Sequence, residues 1–124
     1  MQWSWHVAIV DDDASTRKAL ARLLRANGFD CRTYPSARAF LLALPLRTPD
    51  CLIVDVNMPD MTGLDLQREL LALGVHVPTI VITAIDDEII SESARSLGAE
   101  VFLPKPVGPE ALMAAVNLTL NRRK

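Results

Sequence analysis

The 124-residue sequence has little cysteine, no long apolar run and almost no net charge, and each shortage removes a class of protein. Two cysteines, Cys31 and Cys51, cannot build a disulfide framework, and neither sits in a CxxC pair or beside paired histidines that would suggest zinc. They read as buried, reduced thiols. No apolar stretch approaches the roughly 18 residues that cross a bilayer, and the start Met1-Gln2-Trp3-Ser4-Trp5-His6 lacks a basic segment followed by a long apolar one. A cytoplasmic chain without membrane contact is expected. The formal net charge of -2 supplies no basic field for nucleic acid, and Arg122-Arg123-Lys124 is too short a run to supply one. Direct nucleic-acid binding is therefore assigned to some other domain. Five glycines and eight prolines are dispersed along the chain, which excludes a collagen-like repeat. A composition of 50% hydrophobic and 23% charged residues instead supports one compact domain over 1–124. The polar end, 121–124, reads as the start of a linker, as in a domain cut from a longer protein.

What is present is a regular alternation. Short apolar runs at 7–10, 31–34, 52–54, 80–82 and 101–103 predict five strands. Between and after them apolar residues recur at spacings of three and four: Leu20, Leu23, Leu24; Phe40, Leu41, Leu44; Leu66, Leu70, Leu73; Ile90, Ala94, Leu97; and Leu112, Val116, Leu120. These predict five amphipathic helices. Gly28, Gly74 and Gly98 follow helical patterns where a left-handed cap is wanted, and Pro78 opens the fourth strand. Strict alternation implies an α/β fold, a doubly wound five-stranded parallel sheet. Four strands are almost continuously apolar, as strands covered on both faces are, whereas Cys31-Arg32-Thr33-Tyr34 is polar enough for an edge. The expected order is 2-1-3-4-5. Ligands then sit beyond the C-terminal strand ends, at the switch point between strands 1 and 3. Strand 1 would also separate Cys31 from Cys51, which argues against a disulfide.

Chemistry collects at those strand ends. Strand 1 runs into Asp11-Asp12-Asp13, strand 3 ends in Asp55, strand 4 in Thr83-Ala84, and strand 5 is followed by Pro104-Lys105-Pro106. Carboxylates crowded at one end of a buried sheet repel one another unless a cation or a proton neutralises them. Magnesium, with its demand for octahedral oxygen ligands, suits Asp12 and Asp55, with Asp11 acting through water and Lys105 adding a second positive centre. A carboxylate in such a setting can attack a phosphoryl group, a reaction that needs mostly positioning and charge stabilisation. Asp55, alone at the tip of the central strand, is the best nucleophile. Thr83 can donate a hydroxyl hydrogen bond to the new phosphoryl oxygen.

As a set, Val10-Asp11-Asp12, the block Val54-Asp55-Val56-Asn57-Met58-Pro59-Asp60-Met61-Thr62-Gly63, Thr83-Ala84, and Lys105-Pro106 after Gly98-Ala99 and Phe102 resemble a known family. It is the receiver domains of two-component response regulators, with the CheY-like, flavodoxin-like (βα)5 fold, and especially receivers of the FixJ type that precede a helix-turn-helix output domain. The resemblance covers nearly the whole chain. It implies that Asp55 is the phosphoacceptor for a sensor histidine kinase or phosphotransfer protein. It also implies that Asp11, Asp12, Asp55 and the backbone carbonyl of Asn57 bind Mg2+, for which Mn2+ can substitute. Thr83 would be the switch hydroxyl, Phe102 the aromatic whose rotamer follows it, and Lys105 the partner of the phosphoryl group. The family has a cis peptide bond before the proline matching Pro106, and Asn57 and Ile85 lie at positions that tune hydrolysis. Phosphorylation would switch the helix 4, strand 5, helix 5 face and promote a homodimer. The domain would act on itself and not as an enzyme on a separate substrate. Asp13 stands where many members carry Glu, Val107 where Phe is frequent, and Pro104 precedes Lys105; no chemical group of the site is lost.

Simpler roles compete at several positions. Asp13 reads as a helix cap, Asp86-Asp87-Glu88 as acids offsetting the dipole of helix 4, and Arg17, Lys18, Arg22 and Arg25 as a solvated basic side of helix 1. The sharper reading of that basic side is a kinase docking surface. Trp3, Trp5 and His6 belong to the end of the sheet away from the site. Among other functions, a haloacid-dehalogenase-type phosphatase requires a second Asp two residues after the nucleophile, where this chain has Asn57. An FMN carrier of the same fold would place its phosphate against three aspartates, which repel it. A phosphorylation-independent protein-interaction module on the same fold is the remaining alternative.

Overall fold

The computed structural model describes residues 4–84 and 88–121. Trp3, Ile85, Asp86, Asp87 and 122–124, to which the sequence assigned roles, lie outside the described residues. The elements alternate as β1 (His6–Val10), α1 (Ala14–Ala26), β2 (Asp30–Tyr34), α2 (Ala37–Ala43), β3 (Cys51–Asp55), α3 (Gly63–Ala72), β4 (Thr79–Thr83), α4 (Glu88–Ser96), β5 (Ala99–Pro104) and α5 (Pro109–Asn121). All strand pairs are parallel, and the sheet order is β2-β1-β3-β4-β5. The expected α/β fold and strand order are therefore observed.

Period-two alternation divides the strands between two cores. Val7, Ile9, Cys51, Ile53, Ile80 and Ile82 pack under α1 and α5 with Leu20, Leu24, Leu112 and Val116. Ala8, Val10, Leu52, Val54 and Val81 face Phe40, Leu66, Leu70 and Ala94 of α2, α3 and α4. Each fully buried Val, Leu or Ile contributes roughly 1.5–3 kcal/mol against the unfolded chain. That is why β1, β3 and β4, covered on both faces, are apolar at nearly every position.

Two local readings are refined. Each strand is longer than its apolar run, taking in His6, Asp30, Asp55, Thr79 and Thr83, because ladder bonds depend on backbone alignment and not on apolar side chains. And β5, which reads as a buried strand, is half-buried along its length because it forms the second edge of the sheet. Val7 pairs with Cys31 on one side and Cys51 on the other, so the two buried thiols, neither of them in a disulfide, are a strand apart, as expected. Burial pushes the Cys31 thiol up to about 11, and it stays protonated and inert at neutral pH. No helix among the described residues is long and apolar enough to cross a membrane.

Candidate functional site

The site grows from the ends of β1 and β3, two adjacent central strands. Asp11 continues the ladder, its N–H donating to the Tyr34 carbonyl at 3.1 Å, and its side chain is wholly buried. Its Oδ1 accepts the Asp13 N–H at 2.9 Å. Asp13 is the N-cap of α1, accepting the N–H groups of Ser15 and Thr16, and these bonds hold its carboxyl below the usual range. The capping role read for Asp13 is observed. Arg17 departs from expectation: its Nη1 donates to the Asp11 carbonyl at 2.7 Å instead of pointing to solvent. Arg25 stays exposed, though its Nη2 donates to the Cys31 carbonyl at 2.8 Å. The solvated basic side of α1 is thus corrected at Arg17 alone, where a long side chain near the helix start reaches the carbonyl left open at its own strand end, while Lys18, Arg22 and Arg25 remain exposed.

Asp55 closes β3 and is 3% exposed. The chain then makes a tight return in which Asp60 adopts a left-handed φ of 67° and Gly63 N–H donates to the Val56 carbonyl at 3.0 Å. Thr62 and Asp65 form a reciprocal capping box that starts α3. The backbone N–H of Asn57 reaches the Asp55 carboxylate.

Lys105 arrives from β5, its N–H on the Thr83 carbonyl at 2.8 Å and its peptide bond to Pro106 cis. Its Nζ lies 2.9 Å from Asp11 Oδ2 and 3.5 Å from Asp55 Oδ2. Burial works against this ammonium, but the two carboxylates outweigh it and raise its pKa. For Asp55 the balance goes the other way. Burial, then the neighbouring Asp11 charge, push its carboxyl up to about 6 against the pull of Lys105 and the Asn57 N–H.

Asp11, Asp12 and Asp55 each present a carboxylate oxygen within 4.8 Å of the others. Asp11 Oδ2 is buried with the Lys105 ammonium 2.9 Å away as its partner. An oxygen-only set of three carboxylates beside a single ammonium fits a hard divalent cation. Thr83 is wholly buried at the tip of β4. Phe102 pairs with Val81 and so shares Thr83's face of the sheet, where it packs in the α2–α3–α4 core and not among the carboxylates. The strand ends therefore bring together Asp11, Asp12, Asp55 and Lys105, with Thr83 alongside and Phe102 one step behind. His6 lies at the opposite end of β1, buried, its Nδ1 3.4 Å from Asp30 Oδ2 and its N–H on Asp50. The sequence does not mark Arg17 and Gly63 as neighbours of the site: Arg17 reads as part of a solvated basic side, because its reach back to its own strand end has no periodic signal, and Gly63 is visible only as the close of a motif.

The same architecture recurs in known proteins. The family profile described as response regulator receiver domain matches residues 7–117. The chain is 40% identical over 122 residues to the transcriptional regulatory protein FixJ of Azorhizobium caulinodans, covering 98% of this chain and 58% of that protein. Among solved structures, a response regulator receiver protein from Burkholderia phymatum superposes with a TM-score of 0.84 at 41% identity, covering 95% of this chain and 96% of that one. The structure of FixJ-N does so with a TM-score of 0.88 at 36% identity, covering 97% and 96%. The chain spans a little over half the length of the curated relatives it matches. Fold, strand-end chemistry and similarity over nearly the whole length agree, and the chain belongs to the response regulator receiver domains of two-component systems, on the FixJ-like side of that family.

Proposed function

We propose that this receiver takes a phosphoryl group onto Asp55 from a sensor histidine kinase or phosphotransfer protein, with Mg2+ held by Asp11, Asp12, Asp55 and the backbone carbonyl of Asn57. The observation that carries this reading is the convergence of three carboxylates within 4.8 Å beside a half-buried ammonium. An Asp55 carboxylate oxygen forms the new bond to phosphorus as the bond from phosphorus to the donor's histidine nitrogen breaks, the electron pair leaving with that nitrogen. With its carboxyl pushed up to about 6 by burial and the Asp11 charge, Asp55 is largely ionised at neutral pH and available as a nucleophile. Magnesium, when bound, supplies a hard cation that offsets charge on the phosphoryl oxygens. Lys105 follows the new negative charge from Asp11 and Asp55 to the phosphoryl group, and Thr83 donates its hydroxyl to a phosphoryl oxygen.

Movement of Thr83 vacates space on the face it shares with Phe102, whose rotamer change carries the signal to the α4, β5, α5 surface by population shift. The relatives that carry the name of transcriptional regulatory proteins support an output domain that binds DNA, controlled by this surface and by phosphorylation-dependent dimers. The domain acts on itself and turns over no separate substrate. A cytoplasmic setting, in which a response regulator receiver meets its kinase, goes with this reading.

Intact mass after incubation with acetyl phosphate tests the chemistry. One phosphoryl group gained only with Mg2+, and lost in Asp55→Asn, is expected. No gain, together with no binding of beryllofluoride, overturns phosphotransfer and leaves a phosphorylation-independent interaction module.

A further inference from the structure

The basic side of α1 contains one residue that does not behave as a surface charge. Arg17 sits in the second turn of α1, half-buried, and reaches back six residues to the carbonyl of Asp11. Its own N–H donates to the Asp13 carbonyl at 3.0 Å. The short β1–α1 connection is therefore gripped on all sides: Asp11 N–H by Tyr34, Asp11 Oδ1 by Asp13, Asp13 Oδ1 by Ser15 and Thr16, and the Asp11 carbonyl by Arg17.

The Asp11 carbonyl belongs to the peptide plane that joins Asp11 to Asp12. Holding that plane sets ψ of Asp11 and φ of Asp12, and with them the directions in which both carboxylates leave the backbone. Asp12 is exposed, so neighbouring side chains do little to orient it. We infer that Arg17 is a positioning residue for the divalent-cation site, clamping the Asp11–Asp12 peptide so that both carboxylates converge on Asp55. This inference rests on the magnesium reading of the proposed function. Groups that orient metal ligands without touching the metal typically change affinity about 10–100-fold when removed.

Charge and positioning predict opposite signs here, which makes the inference testable. A guanidinium beside a cation site repels the cation, so its removal by charge alone tightens Mg2+ binding. Loss of the clamp weakens it. The experiment is a MgCl2 titration at constant ionic strength, followed by backbone amide shifts of Asp12 and Asp13. The chains compared are the unmodified protein, Arg17→Met, Arg17→Gln and Arg22→Met, with urea unfolding in EDTA on the same samples. Arg22 is exposed on the same helix and serves as the charge control. Folded Arg17→Met or Arg17→Gln is expected to bind Mg2+ at least about tenfold more weakly, and Arg22→Met as tightly as the parent or slightly tighter. At saturating Mg2+, phosphorylation of Asp55 returns towards the parent rate. Affinity within twofold of the parent, or tighter, in the Arg17 variants overturns the clamp and leaves the proposed function standing, even if their stability falls. A parent chain that does not bind Mg2+ overturns both. Two variants of different size keep the test decisive if one of them does not fold.

Discussion

The Cβ that Gly63 lacks would lie 2.5 Å from the carbonyl oxygen of Asp55 and 3.1 Å from the Cα of Val56. The first residue of α3 is thus pressed against the backbone that carries the proposed phosphoacceptor, and its N–H donates to Val56 across the same contact. Gly63→Ala forces that backbone to move. We expect a loss of about 1–3 kcal/mol in urea unfolding and a fall in the rate of Asp55 phosphorylation in the molecules that remain folded. Unchanged stability would mean that the close approach relaxes without strain.

Asp55 carries its proton to higher pH in the folded chain than when unfolded. Between the ordinary carboxylate value of about 3.9 and its folded value of about 6, the native state binds more protons, so stability from this group falls as pH rises. The gap corresponds to on the order of 3 kcal/mol of destabilisation at neutral pH without Mg2+. Asp55→Asn removes it. In EDTA the variant is expected to exceed the parent in stability by about 1–3 kcal/mol at pH 7.5, an advantage that shrinks towards pH 4.5. A constant difference across that range would place the titration elsewhere.

His6 has the opposite sign. Burial, with Arg47 next, lowers its proton affinity despite the nearby Asp30, so the unfolded chain takes up the proton first as pH falls. Its contribution is complete above the unfolded value of about 6.5 and is lost below it. The stability of His6→Gln relative to the parent should therefore rise as pH falls from 7 to 5, measured by urea unfolding of both chains. A difference that stays constant across that range would clear His6 of that role.

Lys105 neutralises a wholly buried Asp11 and a nearly buried Asp55. Lys105→Met leaves those charges without their ammonium, and removal of one partner from a buried pair costs on the order of 3 kcal/mol. The loss is expected in EDTA and should be partly recovered by millimolar Mg2+, since a ligand that binds only the native state stabilises it by mass action. Thermal melts with and without Mg2+ read both effects; a loss that Mg2+ leaves untouched would separate Lys105 from the cation site.

Much of this molecule was legible locally. Apolar spacing along the chain marks each element because the face a residue buries follows from helical or strand periodicity. The acids at 11, 12 and 55 stood out because they break apolar strands at their C-terminal ends, where a doubly wound sheet gathers its ligands. The half-buried state of β5 was not legible, since Val101-Phe102-Leu103 is as apolar as the central strands and only its place at the sheet edge exposes it.

By itself the sequence determined the alternation of elements, the order of the sheet and the identity of the strand-end groups, all of which depend on periodicity and on residues adjacent in the chain. The tertiary structure decided which groups meet. Lys105 approaches Asp11 more closely than Asp55, Arg17 turns from solvent to a strand-end carbonyl, and Gly63 meets the backbone of Asp55. Each of these joins different elements through the packing of helices on the sheet, at distances of a few ångströms that no spacing along the chain encodes.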